Sequence, residues 1–135
     1  MVEPDAHLDA LANAVIGAAI EVHRTLGAGY LESVYEEALG VELSMRNIPY
    51  VRQHGVRVLY KGVEVGEGRI DLLVEGRLVV EIKTVDALIP VHRAQVISYL
   101  KALGQPLGLL MNFRAVLLRD GLERVVYTVP GLGGR

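Results

Sequence analysis

The sequence predicts an α/β fold with an α+β-like mixed sheet, in which helices flank a central mixed β-sheet. Three observations predict it. The chain opens with apolar residues at three- and four-residue spacing, the stripe of an amphipathic helix. The run Gly68 to Lys83, G-R-I-D-L-L-V-E-G-R-L-V-V-E-I-K, alternates apolar and charged residues about a glycine turn, as a β-hairpin does. Pro106 to Phe113 is a nearly continuous apolar run behind a helical segment, which suits a strand covered on both faces and parallel to the strand before that helix, with a right-handed crossover.

The first helix is expected over residues 5–26, with Leu8, Leu11, Val15, Ala19, Val22 and Leu26 as its apolar stripe and Gly27-Ala28-Gly29 as its stop. His23 in its last turn reads as a cap or surface histidine. The second helix is expected from Leu31 to Arg46, with Leu31, Val34, Tyr35, Ala38, Leu39 and Leu43 inward. Glu32 borders that stripe and Glu36 lies one turn on, while Glu37 and Glu42 read as solvated surface. Asn47-Ile48-Pro49 ends the helix. Tyr50 to Tyr60 and Val63 to Val74 read as strands about a Lys61-Gly62 turn. Pro90 suits the first turn of a third helix over 91–103, with Val96, Leu100 and Leu103 inward and His92, Gln95 and Tyr99 on another stripe. A final hairpin is expected, Ala115–Leu118 and Leu122–Val129, turning at Asp120-Gly121.

The 135 residues, half of them apolar, suit one domain over 1–129, with the Gly-rich 130–135 as a flexible tail. The absence of cysteine excludes disulfides, thiolate metal sites and a cysteine nucleophile. No apolar run has transmembrane length and the N-terminus lacks a basic start, so a cytoplasmic location is expected. A net charge of −2 gives no general attraction to nucleic acid. Such a role would rest on metal ions or on a local basic rim, for which Arg46, Arg52, Arg57, Lys61 and Arg69 are candidates; scattered surface charge is the other reading of these five.

The central hairpin carries the chemistry. Paired about Gly76, Val74 faces Leu78, Leu72 faces Val80 and Ile70 faces Ile82, which makes one face wholly apolar. Asp71 then lies opposite Glu81 on the other face, with Lys83 two residues on. A one-residue slip would mix charge into the apolar face, so the pattern selects this register. Two carboxylates at that distance repel unless a cation lies between them, and oxygen ligands suit a hard ion such as Mg²⁺ or Mn²⁺. A lysine beside it can orient or deprotonate a water. The plainer reading of the same residues is a solvated strand face with a cross-strand ion pair.

Asp71, then Glu81-Ile82-Lys83, then a helix bearing Gln95 and Tyr99, resembles the PD-(D/E)XK nuclease superfamily. Gly29-Tyr30-Leu31-Glu32-Ser33-Val34-Tyr35 is similar to the G-x-x-E-x-x-Y signature of a small family within it. The resemblance covers about residues 8–128. It implies a restriction-endonuclease-like core and a Mg²⁺- or Mn²⁺-dependent nuclease acting on DNA or RNA. By the same resemblance, Asp71, Glu81 and the Ile82 carbonyl would hold metal and Lys83 would assist the attacking water. Glu32 would complete the site, and Gln95 and Tyr99 would position the metal shell or a phosphate. Ile70 stands where the superfamily's name has proline. The competing expectations are a catalytically silent nuclease fold used for binding or assembly and a hydrolase of a small phosphorylated molecule. A symmetric homodimer cutting both strands is a further expectation.

Overall fold

The computed structural model describes residues 4–129; the expected tail at 130–135 lies outside them. Helix α1 spans Ala6–Leu26, capped by Asp5, whose Oδ1 accepts from the Leu8 N–H at 2.8 Å. Helix α2 spans Glu32–Met45. Strands β1 (Tyr50–Tyr60), β2 (Val63–Val74) and β3 (Leu78–Lys83) follow, then α3 (Pro90–Leu103), β4 (Leu107–Asn112) and β5 (Leu122–Val126). One sheet runs in the order β1-β2-β3-β4-β5. Only β3 and β4 are parallel, joined through α3 as the apolar run at 106–113 predicts; the other neighbours are antiparallel. All six β4 residues are buried.

The sheet separates two apolar clusters. Helices α1 and α2 cover one face through Leu8, Ala12, Val15, Tyr35, Leu39 and Leu43, against Leu72, Val74, Leu78, Val80, Ile82, Leu109 and Met111. Helix α3 covers the other through Val96 and Leu100, against Leu73, Val79, Leu110 and Val125. Each buried Leu or Val contributes roughly 1.5–3 kcal/mol relative to exposure. Both faces of the hairpin are therefore core, which corrects the expectation of one apolar and one solvated face.

Val74↔Leu78 and Leu72↔Val80 pair as predicted, about a turn in which Glu75 and Gly76 have φ of 53° and 70°. Ile70 does not join them. It packs with the α3 cluster, while Ile82 packs with the α1–α2 cluster, so the expected Ile70–Ile82 face is overturned. The antiparallel ladder stops at Leu72 and Val80, just before Asp71 and Glu81.

Three further expectations are corrected. Residues 115–118 form no strand: a 3₁₀ turn spans Leu118–Gly121, and β5 pairs with β4. A two-residue hairpin turn at Asp120-Gly121 would need positive φ at Asp120 at least, and at both residues for the type that Asp-Gly favours; neither has it. Gly121 serves close packing instead, since a Cβ there would lie 2.7 Å from the Asn112 carbonyl. His23 is buried, not a surface cap; its Nε2 lies 2.8 Å from the Ala115 carbonyl and its ring packs near Phe113. On α2, Leu31 and Val34 are exposed while Glu36 is buried, so the helix is rotated from its expected stripe. Tyr35 sets that rotation by stacking on Phe113 at 4.6 Å and donating its hydroxyl to the Gly27 carbonyl.

Among the described residues no helix is long and apolar enough to cross a membrane.

Candidate active site

Where the β2–β3 ladder ends, side chains take over its hydrogen bonds. The Asp71 N–H donates to Glu81 Oε2 at 2.8 Å, and the Ile82 N–H donates to Asp71 Oδ2 at 2.8 Å. The two carboxylates thus cross between the strands, each fixed by the backbone beside the other. A main-chain donor restrains a carboxylate oxygen more tightly than water does, so both side chains are held without a bound ion. Glu81 is buried and Asp71 half-buried.

This geometry strains their ionisation. Burial, then the neighbouring Asp71, pushes the Glu81 carboxyl up to about 8, although the Asp71 N–H bond pulls the other way. Burial also raises the Asp71 carboxyl; the Ile82 N–H opposes this, and the charges of Glu36 and Glu32 add to it. A pair in this state stays partly protonated near neutrality and ionises fully when positive charge arrives.

Lys83 Nζ donates to Gln95 Oε1 at 2.9 Å, and Gln95 Nε2 approaches the Tyr99 hydroxyl at 3.4 Å. Strand β3 aims Lys83 at α3 because Glu81 and Lys83 share its α3-facing side with Val79. Among the described residues Lys83 has no ion-pair partner within 4.0 Å. The Tyr99 hydroxyl is held protonated to higher pH by burial and then by the Glu81 charge. Its ring lies over Gly68, where a Cβ would come within 2.8 Å. His92, on the same stripe, instead accepts the Ile89 N–H at the start of α3.

Asp71, Glu81, Lys83, Gln95 and Tyr99 are therefore neighbours. Glu32 is not drawn into the cluster by any hydrogen bond; it is exposed at the first turn of α2 and reaches Asp71 only through its charge. Glu36, one turn on, is the buried α2 carboxylate, bound by Arg52 Nε at 3.0 Å and Gln53 Nε2 at 2.8 Å. Periodicity placed Glu36 on the side of Glu32 and carried no sign of its partners on β1. Asn112 was also missed: its side chain accepts the Val85 N–H and donates to the Val85 carbonyl, fastening the loop after Lys83. The lone polar residue ending an apolar strand was its only signal.

Of the five candidate rim cations, four are in ion pairs: Arg46 with Glu42, Arg52 with Glu36 and Glu37, Arg57 with Glu64, and Arg69 with Glu67.

As a donor set, Asp71 and Glu81 offer hard oxygens only, and no group of three or more His, Asp or Glu side chains among the described residues is placed to hold a metal. Two carboxylates match the hard oxygen ligands that Mg²⁺ takes from proteins.

No curated protein and no solved structure matches the chain. The family model of the PD-(D/E)XK nuclease superfamily matches residues 9–125, nearly the whole of the described fold, including every candidate site residue. The chain belongs to the PD-(D/E)XK nuclease superfamily.

Proposed function

We propose that the chain is a Mg²⁺- or Mn²⁺-dependent nuclease that hydrolyses phosphodiester bonds, with DNA as the first substrate to test and RNA as the second. One observation carries the reading: a buried and a half-buried carboxylate, mutually repelling, are held crossed at the end of a ladder, next to an amine with no anionic partner among the described residues. Burying such a pair costs stability unless a cation uses it.

A divalent cation there would supply charge relief at the phosphate and a more acidic water. Asp71 and Glu81 would hold it, with the Ile82 carbonyl. Lys83, steadied by Gln95, would orient the attacking water and hold its proton. Tyr99, protonated, can donate to a phosphate oxygen, and Glu32 can approach from the exposed start of α2. The similarity of the Gly29–Tyr35 segment to the G-x-x-E-x-x-Y signature supports membership of that branch. A homodimer would bring two such sites to the two strands of a duplex.

The neutralised rim arginines favour a second reading, a silent nuclease fold that binds or assembles. One experiment separates the two. Purified protein is incubated with single-stranded, double-stranded and branched DNA and with RNA, in Mg²⁺ or Mn²⁺, beside Asp71→Ala and Lys83→Ala. Metal-dependent cleavage lost in both variants is the expected result. No cleavage of any polymer by the wild type sinks the nuclease reading; metal titration by calorimetry then separates a silent module that binds no ion from a hydrolase of a small phosphorylated molecule that does.

A further inference from the structure

Strands β1 and β2 both change face at one level. Tyr50 packs against the α1–α2 cluster and Val56 belongs to the α3 cluster, although residues an even number apart share a face in a regular strand. On β2, Leu72 and Val74 belong to the first cluster and Ile70 to the second. The pairing reads Arg52↔Leu72 and then His54↔Ile70 in one unbroken register, so Gln53 and Asp71 lie opposite each other without being paired. Gln53 has φ 53°, a left-handed conformation that a non-glycine residue in a strand rarely adopts.

Such a conformation persists only where its surroundings hold it. Three hydrogen bonds do so. Gln53 Nε2 donates to Glu36 Oε1 at 2.8 Å, Arg52 Nε donates to Glu36 Oε2 at 3.0 Å, and Arg69 Nη1 donates to the Gln53 carbonyl at 3.3 Å. Glu36 is only 7% exposed, so both carboxylate oxygens are committed to this clamp. An α2 carboxylate thereby grips two consecutive β1 residues at the point where the ribbon turns over.

We propose that Gln53, held by Glu36 and Arg69, is the positioning residue for Asp71. The turned-over backbone at Gln53 releases Asp71 from β1. Its N–H is then directed to Glu81 and its carboxylate to the Ile82 N–H. Neither Gln53 nor Glu36 need touch a reacting atom; they act through the Asp71 backbone. The inference rests on Asp71 and Glu81 being the metal-holding pair proposed above.

The test compares amide hydrogen exchange in the wild type, Gln53→Ala, Gln53→Gly and Glu36→Gln, with Mn²⁺ affinity measured by calorimetry alongside. Gln53→Ala is expected to speed exchange at the Asp71 and Ile82 amides by roughly tenfold or more while β4 amides stay within about twofold. Gln53→Gly, which adopts positive φ freely, is expected to restore protection at both amides. Glu36→Gln, with its clamp weakened, follows Gln53→Ala and decides the matter if Gln53→Ala does not fold. Mn²⁺ affinity falls in the same order. Unchanged protection at Asp71 and Ile82 in both Gln53→Ala and Glu36→Gln overturns the proposal, as does Gly exchanging as fast as Ala. Acceleration spread equally over β4 also overturns it, since that is general destabilisation. If the wild type binds no Mn²⁺, the metal reading falls, and the exchange pattern still decides the positioning role.

Discussion

The two ends of the β2–β3 hairpin are built from the same alternating sequence and do opposite things. At the turn, Leu72 to Val74 pair residue for residue with Leu78 to Val80, and every one of these side chains is buried in one cluster or the other. One residue beyond Leu72, the ladder gives way to two carboxylates, Glu81 accepting the Asp71 N–H and Asp71 accepting the Ile82 N–H. The apolar end stabilises the fold through burial. The charged end places two desolvated acids side by side, and the Glu81 carboxyl, raised to about 8, records the strain. The rigid end lends its order to the strained one, because the carboxylates sit on strands that the apolar end has already aligned.

The largest effect should come at the charged end. Lys83→Ala is expected to slow metal-dependent DNA cleavage by roughly 10²–10⁴-fold, the range for a lost proton-transfer group, with little change in thermal unfolding; single-turnover kinetics and a melting curve check both halves. A variant that cleaves normally would erase the contrast between the ends. Leu72→Ala should do the reverse. A fully buried leucine truncated there is expected to cost about 2–5 kcal/mol in urea unfolding, while the folded fraction keeps its Mn²⁺ affinity.

Acidity gives a finer probe. Glu81 binds its proton more tightly folded than unfolded, because its folded value of about 8 lies above the ordinary 4.5. Its stabilising contribution is therefore complete below about 4.5 and is lost as pH rises through about 8. Metal-free protein should melt at falling temperatures across that window, and Glu81→Gln should flatten the slope; a slope unchanged in the variant would assign the effect elsewhere. By the same competition, Mn²⁺ affinity should strengthen by up to about tenfold per pH unit below 8, with proton release seen by calorimetry in two buffers. The smallest effect is expected at exposed Glu32, where Ala should lower cleavage by about tenfold, the low end for a group outside the ligand shell. A loss as large as that of Asp71→Ala would make Glu32 a ligand.

Much of this was legible in the residues. The order of helices and strands as far as β4, the β3–β4 parallel pair and the facing of Asp71 and Glu81 follow from alternation, glycine turns and an apolar run, all local signals. The G-x-x-E-x-x-Y segment reads differently once folded. Its tyrosine, Tyr35, is a buried post that locks the α1–α2 turn to Phe113 and Gly27, and Gly29 takes a φ of 126° there. The last hairpin was misread because Asp120-Gly121 has the composition of a tight turn, whereas Gly121 is needed for contact with Asn112, a partner across the sheet.

Local pattern placed two carboxylates and a lysine on one hairpin, since side-chain alternation is a property of the strand alone. Docking placed the rest. Lys83 turns to Gln95 because α3 lies across that face. Glu36 rather than Glu32 is buried because Tyr35 rotates α2 onto the sheet. Ile70 leaves its expected face because Gln53, gripped from α2, turns the ribbon over. Each of these depends on which helix presses on which strand, and that contact joins residues distant in sequence, where periodicity carries no signal.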